Sequence, residues 1–154
     1  MMKKCIWLVA LSLLLAACSA SSGAEQKKDS QATANQYETE LMKNLNLATA
    51  TLYSSYYMKQ QNDIGSLEEV EKDLAGIDDA VEGFESMGDA PNEELERLHD
   101  VVGNCIAEID AFISYAIGAL CENDPAFLDK YNETEGKISP YLLEINEITS
   151  ELEA

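Results

Sequence analysis

The stretch EELERLHDVVGNCIAEIDAFISYAIGALC, residues 93–121, decides the fold. Leu95, Leu98, Val102, Cys105, Ile109, Phe112 and Ala116 recur three or four residues apart, the period of one helix face. Ile106, Ile113, Ile117 and Leu120 widen that face, and Gly103, Ala107, Ala111, Ser114 and Gly118 add a column of small residues. Between Val101 and Cys121 only Glu108 and Asp110 are charged. A membrane span here would bury both carboxylates, and Asp alone costs about 2.5–3.5 kcal/mol at a bilayer centre. The stretch therefore reads as the most buried helix of a soluble bundle, touched on more than one side.

Working upstream, Ser66, Leu67, Glu68 and Glu69 form a capping box, in which the Ser66 hydroxyl satisfies a free backbone N–H and Glu69 reaches back. Leu67, Val70, Leu74, Ile77, Val81 and Phe84 then alternate three and four apart, predicting a helix from Ser66 to about Gly88. Gly76 and Gly83, a heptad apart, each cost about 1 kcal/mol against Ala in a helix interior. That spacing fits either a close neighbouring helix or a weakened one. Further upstream, Leu41, Leu45, Ala48 and Leu52 predict a first helix from an Asn35 N-cap to about Lys59. Downstream, Asp124 and Pro125 suit the N-cap and first position of a last helix carrying Phe127, Tyr131, Thr134, Ile138, Tyr141, Ile145, Ile148 and Leu152. Pro140 predicts a kink there, or a restart capped by Ser139.

With no strand pattern and short turns, the expectation is an all-α protein, an antiparallel up-down-up-down four-helix bundle over residues 35–154. That topology sets both termini and the turn around Asp89 to Asn92 at one end. The turns at residues 60–65 and 121–125 then lie at the other.

The first eighteen residues are of a different kind. Lys3 and Lys4 precede an apolar segment, Ile6 to Ala17, of signal-peptide length, and Leu15, Ala16 and Ala17 lead into Cys18. The segment is shorter than the roughly 20 apolar residues a span needs, and Ser12 interrupts it. The run Leu15 to Cys18 resembles the lipobox of bacterial lipoproteins. The resemblance implies cleavage between Ala17 and Cys18, lipid on the Cys18 sulfur, and a mature chain held at the extracytoplasmic face of a bacterial cell membrane. Ser19, where an Asp favours inner-membrane retention in that family, permits outer-membrane sorting in a diderm host. It covers only residues 1–19 and implies nothing about residues 35–154. The expected organisation is a cleaved signal over residues 1–17, a lipidated N-terminus and flexible tether over 18–34, and the acidic bundle. Residues 19–34, SASSGAEQKKDSQATA, hold no large apolar side chain, which is the basis for the tether.

The 154-residue chain carries a net charge of −19, and −21 once residues 1–17, with two lysines and no acid, are removed. Phosphate backbones and anionic headgroups repel such a chain, so nucleic acid is excluded as a partner and membrane attachment falls to the lipid. Cys105 and Cys121, sixteen residues apart on one helix, stand about 24 Å apart, too far for a bridge. They are expected as free thiols, with Cys121 able to pair between molecules.

No enzyme constellation is legible. His99 follows Glu96 by three, but it is the only histidine, so a ferritin-like di-metal set lacks its second half and a nucleophile lacks a supported base. Metal and cofactor are therefore both expected to be none, apart from the covalent lipid. Two surface groups remain. Glu82, Glu85, Asp89, Glu93, Glu94 and Glu96 crowd one turn and form a candidate weak Ca²⁺ or Mg²⁺ site, or simply a solvated face. Tyr53, Tyr56, Tyr57 and Lys59 cluster near the end of the first helix and form a candidate partner surface, or a cover for the bundle end. The expected function is a non-enzymatic interaction module of the cell envelope, binding another envelope protein or itself. The alternative is a low-affinity divalent-cation or small-ligand binder.

Overall fold

The computed structural model describes residues 5–61 and 64–153, with side chains from residue 30 onward. Met1 to Lys4, and the side chains of Ala17 and Cys18, lie outside the described residues. The protein is all-α, with no strand among the described residues. Its elements are α1 (Cys5–Gln61), α2 (Leu67–Leu74), α3 (Gly76–Glu85), α4 (Glu93–Glu122) and α5 (Phe127–Leu152). Because α2 and α3 are halves of one helix interrupted at Ala75, the helices number four among the described residues. The chain divides into two compact units, residues 1–36 and 37–154.

In the first unit the backbone is helical through the stretch that composition assigns to a tether. Asn35 is therefore inside α1 and is no N-cap. Upstream, Ala24, Glu25, Gln26, Lys27 and Lys28 are good helix formers, and lack of apolar residues prevents burial without preventing helix.

In the second unit the caps follow the sequence closely. Ser66 and Glu69 form the capping box, with the Ser66 N–H donating to Glu69 Oε2 at 2.7 Å. These bonds hold the Glu69 carboxyl below the usual range. Asn92 Oδ1 accepts from the Leu95 N–H at 2.8 Å and starts α4. Between α2 and α3 the ladder tightens to three-residue bonds, Ala75 N–H to Lys72 and Asp78 N–H to Ala75, so the expected single helix is broken. At the last helix the expectation shifts by two residues. Asp124 Oδ1 caps the Ala126 N–H at 2.8 Å, Pro125 and Ala126 form a turn, and α5 starts at Phe127. Pro140 lies inside α5 without a restart, and Ser139 Oγ bonds back to the Glu135 carbonyl at 2.9 Å rather than capping.

The core is organised on α4, whose Leu95, Leu98, Val102, Cys105, Ile109, Phe112 and Ala116 are all buried. It is the one described helix long and apolar enough to cross a membrane, and its apolar side is covered by protein. The small-residue column is a different matter. Only Gly103 meets a neighbour, Phe84, while Ala107, Ala111, Ser114 and Gly118 face solvent. Leu41, Leu45, Ala48 and Leu52 of α1 and Val70, Leu74, Ile77 and Ala80 of α2 and α3 complete the core with the α5 stripe. Leu67, at the start of α2, is 49% exposed, contrary to its place in the expected stripe.

Gly76 and Gly83 both face α1. A Cβ on Gly76 would lie 2.6 Å from Thr51 Oγ1, and one on Gly83 would collide with Asn44 Oδ1. The close-helix reading of this pair is the one the structure holds. Asn44 and Thr51, themselves seven apart, are buried polar residues that periodicity did not find. Their polar atoms are satisfied: Thr51 Oγ1 donates to the Leu47 carbonyl at 2.9 Å, and Asn44 Nδ2 contacts Met87 Sδ at 3.6 Å. Buried Ser55 likewise donates to the Leu52 carbonyl at 2.6 Å.

Candidate functional site

The four residues proposed as a partner surface separate into two pairs. Tyr53 and Tyr57, one helical turn apart on α1, are 55% and 62% exposed. They line a groove of about 650 Å³ with Ala50, Ser54, Met58 and Asp73 of α2. Tyr56 and Lys59 are turned elsewhere. The Tyr56 ring stacks on Tyr131 with centroids 4.5 Å apart, and Tyr131 meets Phe112 edge-on at 5.8 Å. Lys59 Nζ donates to Asn123 Oδ1 at 2.8 Å and sits 5.8 Å from the centre of the Phe127 ring. Tyr56 and Lys59 thus help to cover the bundle end, whereas Tyr53 and Tyr57 are left exposed beside the groove.

Lys59 clamps the turn between α4 and α5. Asn123 ends α4 in the left-handed conformation, φ 52°, and the Asp124 N–H closes the turn on the Ala119 carbonyl at 3.0 Å. The Tyr115 hydroxyl donates to Asp124 Oδ2 at 2.6 Å. That bond, the Ala126 N–H and the Lys59 charge hold the Asp124 carboxyl below its ordinary range. The same bond pushes the Tyr115 phenol up to about 12. Burial first, then the Glu135 charge, pushes Tyr131 up to about 12 as well.

A pH dependence follows from Asp124. Its folded form binds a proton less readily than the unfolded form, so its contribution is complete above the unfolded value of about 3.9 and is lost as pH falls through the lower folded value. Asp124→Asn is expected to lower the melting temperature at neutral pH, and the gap to the native chain should close in acid below about pH 4. Thermal melts at both pH values check this, and a gap independent of pH would count against it.

The acidic residues behave differently. Glu82, Glu85, Asp89, Glu93, Glu94 and Glu96 are all exposed. Among the described residues, no three His, Cys, Asp or Glu side chains come together to hold a metal ion. His99 is half-buried rather than paired with Glu96. Its ring stacks on Phe84 at 4.4 Å, and its Nδ1 lies 2.8 Å from the Tyr37 hydroxyl, which also meets the Gly88 carbonyl at 3.1 Å. Burial, helped by the Asp89 charge, raises the Tyr37 phenol. A lone histidine with a tyrosine 62 residues away in sequence gives no local signal, which is why this contact escaped the sequence reading.

Cys105 and Cys121 are free. Cys105 is buried and its thiol is pushed up to about 11 by desolvation, so it is protonated at neutral pH; Cys121 is exposed.

What the fold and surface define is an acidic all-α protein with a tyrosine-lined groove between α1 and α2. No family model, curated protein or solved structure matches the chain.

Proposed function

We propose that this chain is a lipid-anchored, extracytoplasmic bacterial lipoprotein whose helical domain is a non-enzymatic protein-interaction module. The observation that carries the interaction reading is the exposure of Tyr53 and Tyr57 side by side at a groove, since tyrosine is enriched at recognition surfaces and clustered exposed rings mark interaction sites more than scattered ones do. The anchor rests on the sequence from Leu15 to Cys18.

An antiparallel up-down-up-down four-helix bundle is the arrangement proposed for the domain. It is supported by contact pairs whose numbers run in opposite directions. Tyr37 meets Gly88, Asn44 meets Gly83 and Thr51 meets Gly76. Arg97 pairs with Glu144 and Glu151, Glu108 with Lys137, and Phe112 with Tyr131. Residues 19–34 span about 24 Å as helix and about 20 Å as coil, so in either form the domain stays near the membrane.

Cys18→Ala is expected to move the protein from the membrane fraction to the soluble fraction, or to leave it as unprocessed precursor. Retention of processed protein in the membrane would remove the anchor. Photocrosslinking in intact cells from Ser54 should yield a covalent adduct with another protein, lost in the Tyr53→Ala, Tyr57→Ala chain. If adducts form equally in that variant, or from no exposed position at all, the interaction reading fails.

A further inference from the structure

The carboxylates of this protein are not treated alike by the fold. On α4 and α5, Arg97 bridges to Glu144 at 3.2 Å and Glu151 at 3.5 Å, and Lys137 bridges to Glu108 at 3.4 Å and Glu133 at 3.5 Å. Lys130 adds a bond to Glu133 at 3.0 Å. On α2 and α3 eight carboxylates stand against one base, Lys72, and all eight are exposed. None of them enters an ion pair among the described residues. On α1, Lys59 is engaged with Asn123 and Lys43 with Glu40. The groove holding Tyr53 and Tyr57 opens along this side, with Asp73 in its wall. A second groove, of about 450 Å³, continues past Met58 and Asp73 to Glu69 and Ile64, with Lys72 the one base in its wall.

We infer that this groove receives a cationic amphipathic helix of a partner protein. The inference rests on the interaction reading and names the partner's chemistry. Charge complementarity selects the sign: the excess of eight exposed carboxylates over one lysine on α2 and α3, with Asp73 in the groove wall, favours lysine and arginine and repels a second copy of a chain with net charge −19. Shape selects the helix. Tyr53 and Tyr57 are spaced by about 6 Å along α1, the separation of side chains at positions i and i+4 on a docking helix. Among the described residues no strand offers an edge for strand addition. The apolar side of the incoming helix would rest on Tyr53, Tyr57 and Met58, and its basic flank would face Asp73 and the acids of α2 and α3.

The test uses the full chain in nanodiscs of zwitterionic phosphatidylcholine, with empty discs as background. The probe is a fluorescent peptide of Leu and Lys about five helical turns long, patterned with one apolar face. Its anisotropy should rise on binding, and affinity should fall as salt rises. A scrambled peptide of the same composition and the Tyr53→Ala, Tyr57→Ala chain should each bind about tenfold more weakly. Asp73→Asn should weaken binding and flatten the salt dependence, whereas Leu143→Ala, an exposed apolar residue on α5, should change nothing. Circular dichroism confirms that each variant keeps its helices. Equal binding of patterned and scrambled peptides, or indifference to the tyrosine substitutions, would reduce the effect to charge adsorption and overturn the inference. Absence of peptide binding would overturn it too, while leaving the interaction reading to its own crosslinking test. Concentration-dependent self-association of the chain in the absence of peptide, abolished by Tyr53→Ala, Tyr57→Ala, would point to a second copy and also overturn it.

Discussion

Truncation of Phe112 to alanine is expected to lower the stability of the domain by about 3–5 kcal/mol, the range for a buried aromatic ring removed from a core that relaxes only in part. Phe112 is 4% exposed on α4 and meets three other rings, Phe127 at 5.6 Å, Tyr131 at 5.8 Å and Tyr115 at 6.2 Å. Two of these belong to α5, so the void opens across the contact between the two longest helices of the domain. Phe112→Leu keeps most of the volume and should cost less than about 1.5 kcal/mol. Urea unfolding followed by far-ultraviolet circular dichroism reads both. The truncated chain should also admit water to Tyr131, moving its phenol down from about 12 toward the ordinary value near 10. A stability loss below about 1 kcal/mol, typical of surface positions, would mean the aromatic end is not packed as described.

Gly83→Ala is expected to destabilise by about 1–3 kcal/mol, although alanine is the better helix former by about 1 kcal/mol. The new methyl group meets the Asn44 amide, which is 5% exposed and has Met87 Sδ as its contact. Pushing that amide aside leaves a buried polar group without a partner, the costly case. Gly118→Ala supplies the contrast, because a Cβ there meets nothing within 4 Å and should stabilise by about 0.5–1 kcal/mol. Opposite signs for one substitution at two helical sites separate packing from propensity. In the double variant Gly83→Ala, Asn44→Ala the penalties should fall short of their sum, the mark of two groups in contact. Stabilisation by Gly83→Ala alone would show that α1 and α3 are not in close contact.

How far the sequence revealed this molecule depended on how far apart the interacting residues lie. The α4 stripe was legible because each member predicts the next within four residues, and the whole stripe is buried. The capping box at Ser66 and the turn before Glu93 were legible for the same reason. Asn44, Thr51 and Ser55 were not: Thr51 and Ser55 bond to their own helix, Asn44 bonds to Met87, and the glycines facing Thr51 and Asn44 lie 25 and 39 residues away. Lys59 looked like a surface charge because nothing nearby in sequence announces Asn123 as its acceptor. The tyrosine cluster was found by composition, but only its contacts divide it into Tyr56, which packs, and Tyr53 and Tyr57, which are displayed. The Ala75 break was missed because periodicity runs unbroken from Leu74 to Ile77 across a change that is purely one of backbone bonding.

The paired glycines have one more consequence. Two helices whose apolar positions repeat every seven residues can slip past each other by one repeat and still bury their stripes. Here a slip in one direction would set Asn44 against Gly76 but Thr51 opposite Glu69. A slip in the other would set Thr51 against Gly83 and leave Asn44 opposite Ala90, beyond the end of α3. Only one register matches both polar side chains to both glycines. The two pairs thus work as a notch and key, choosing a single alignment where hydrophobic burial alone would accept three.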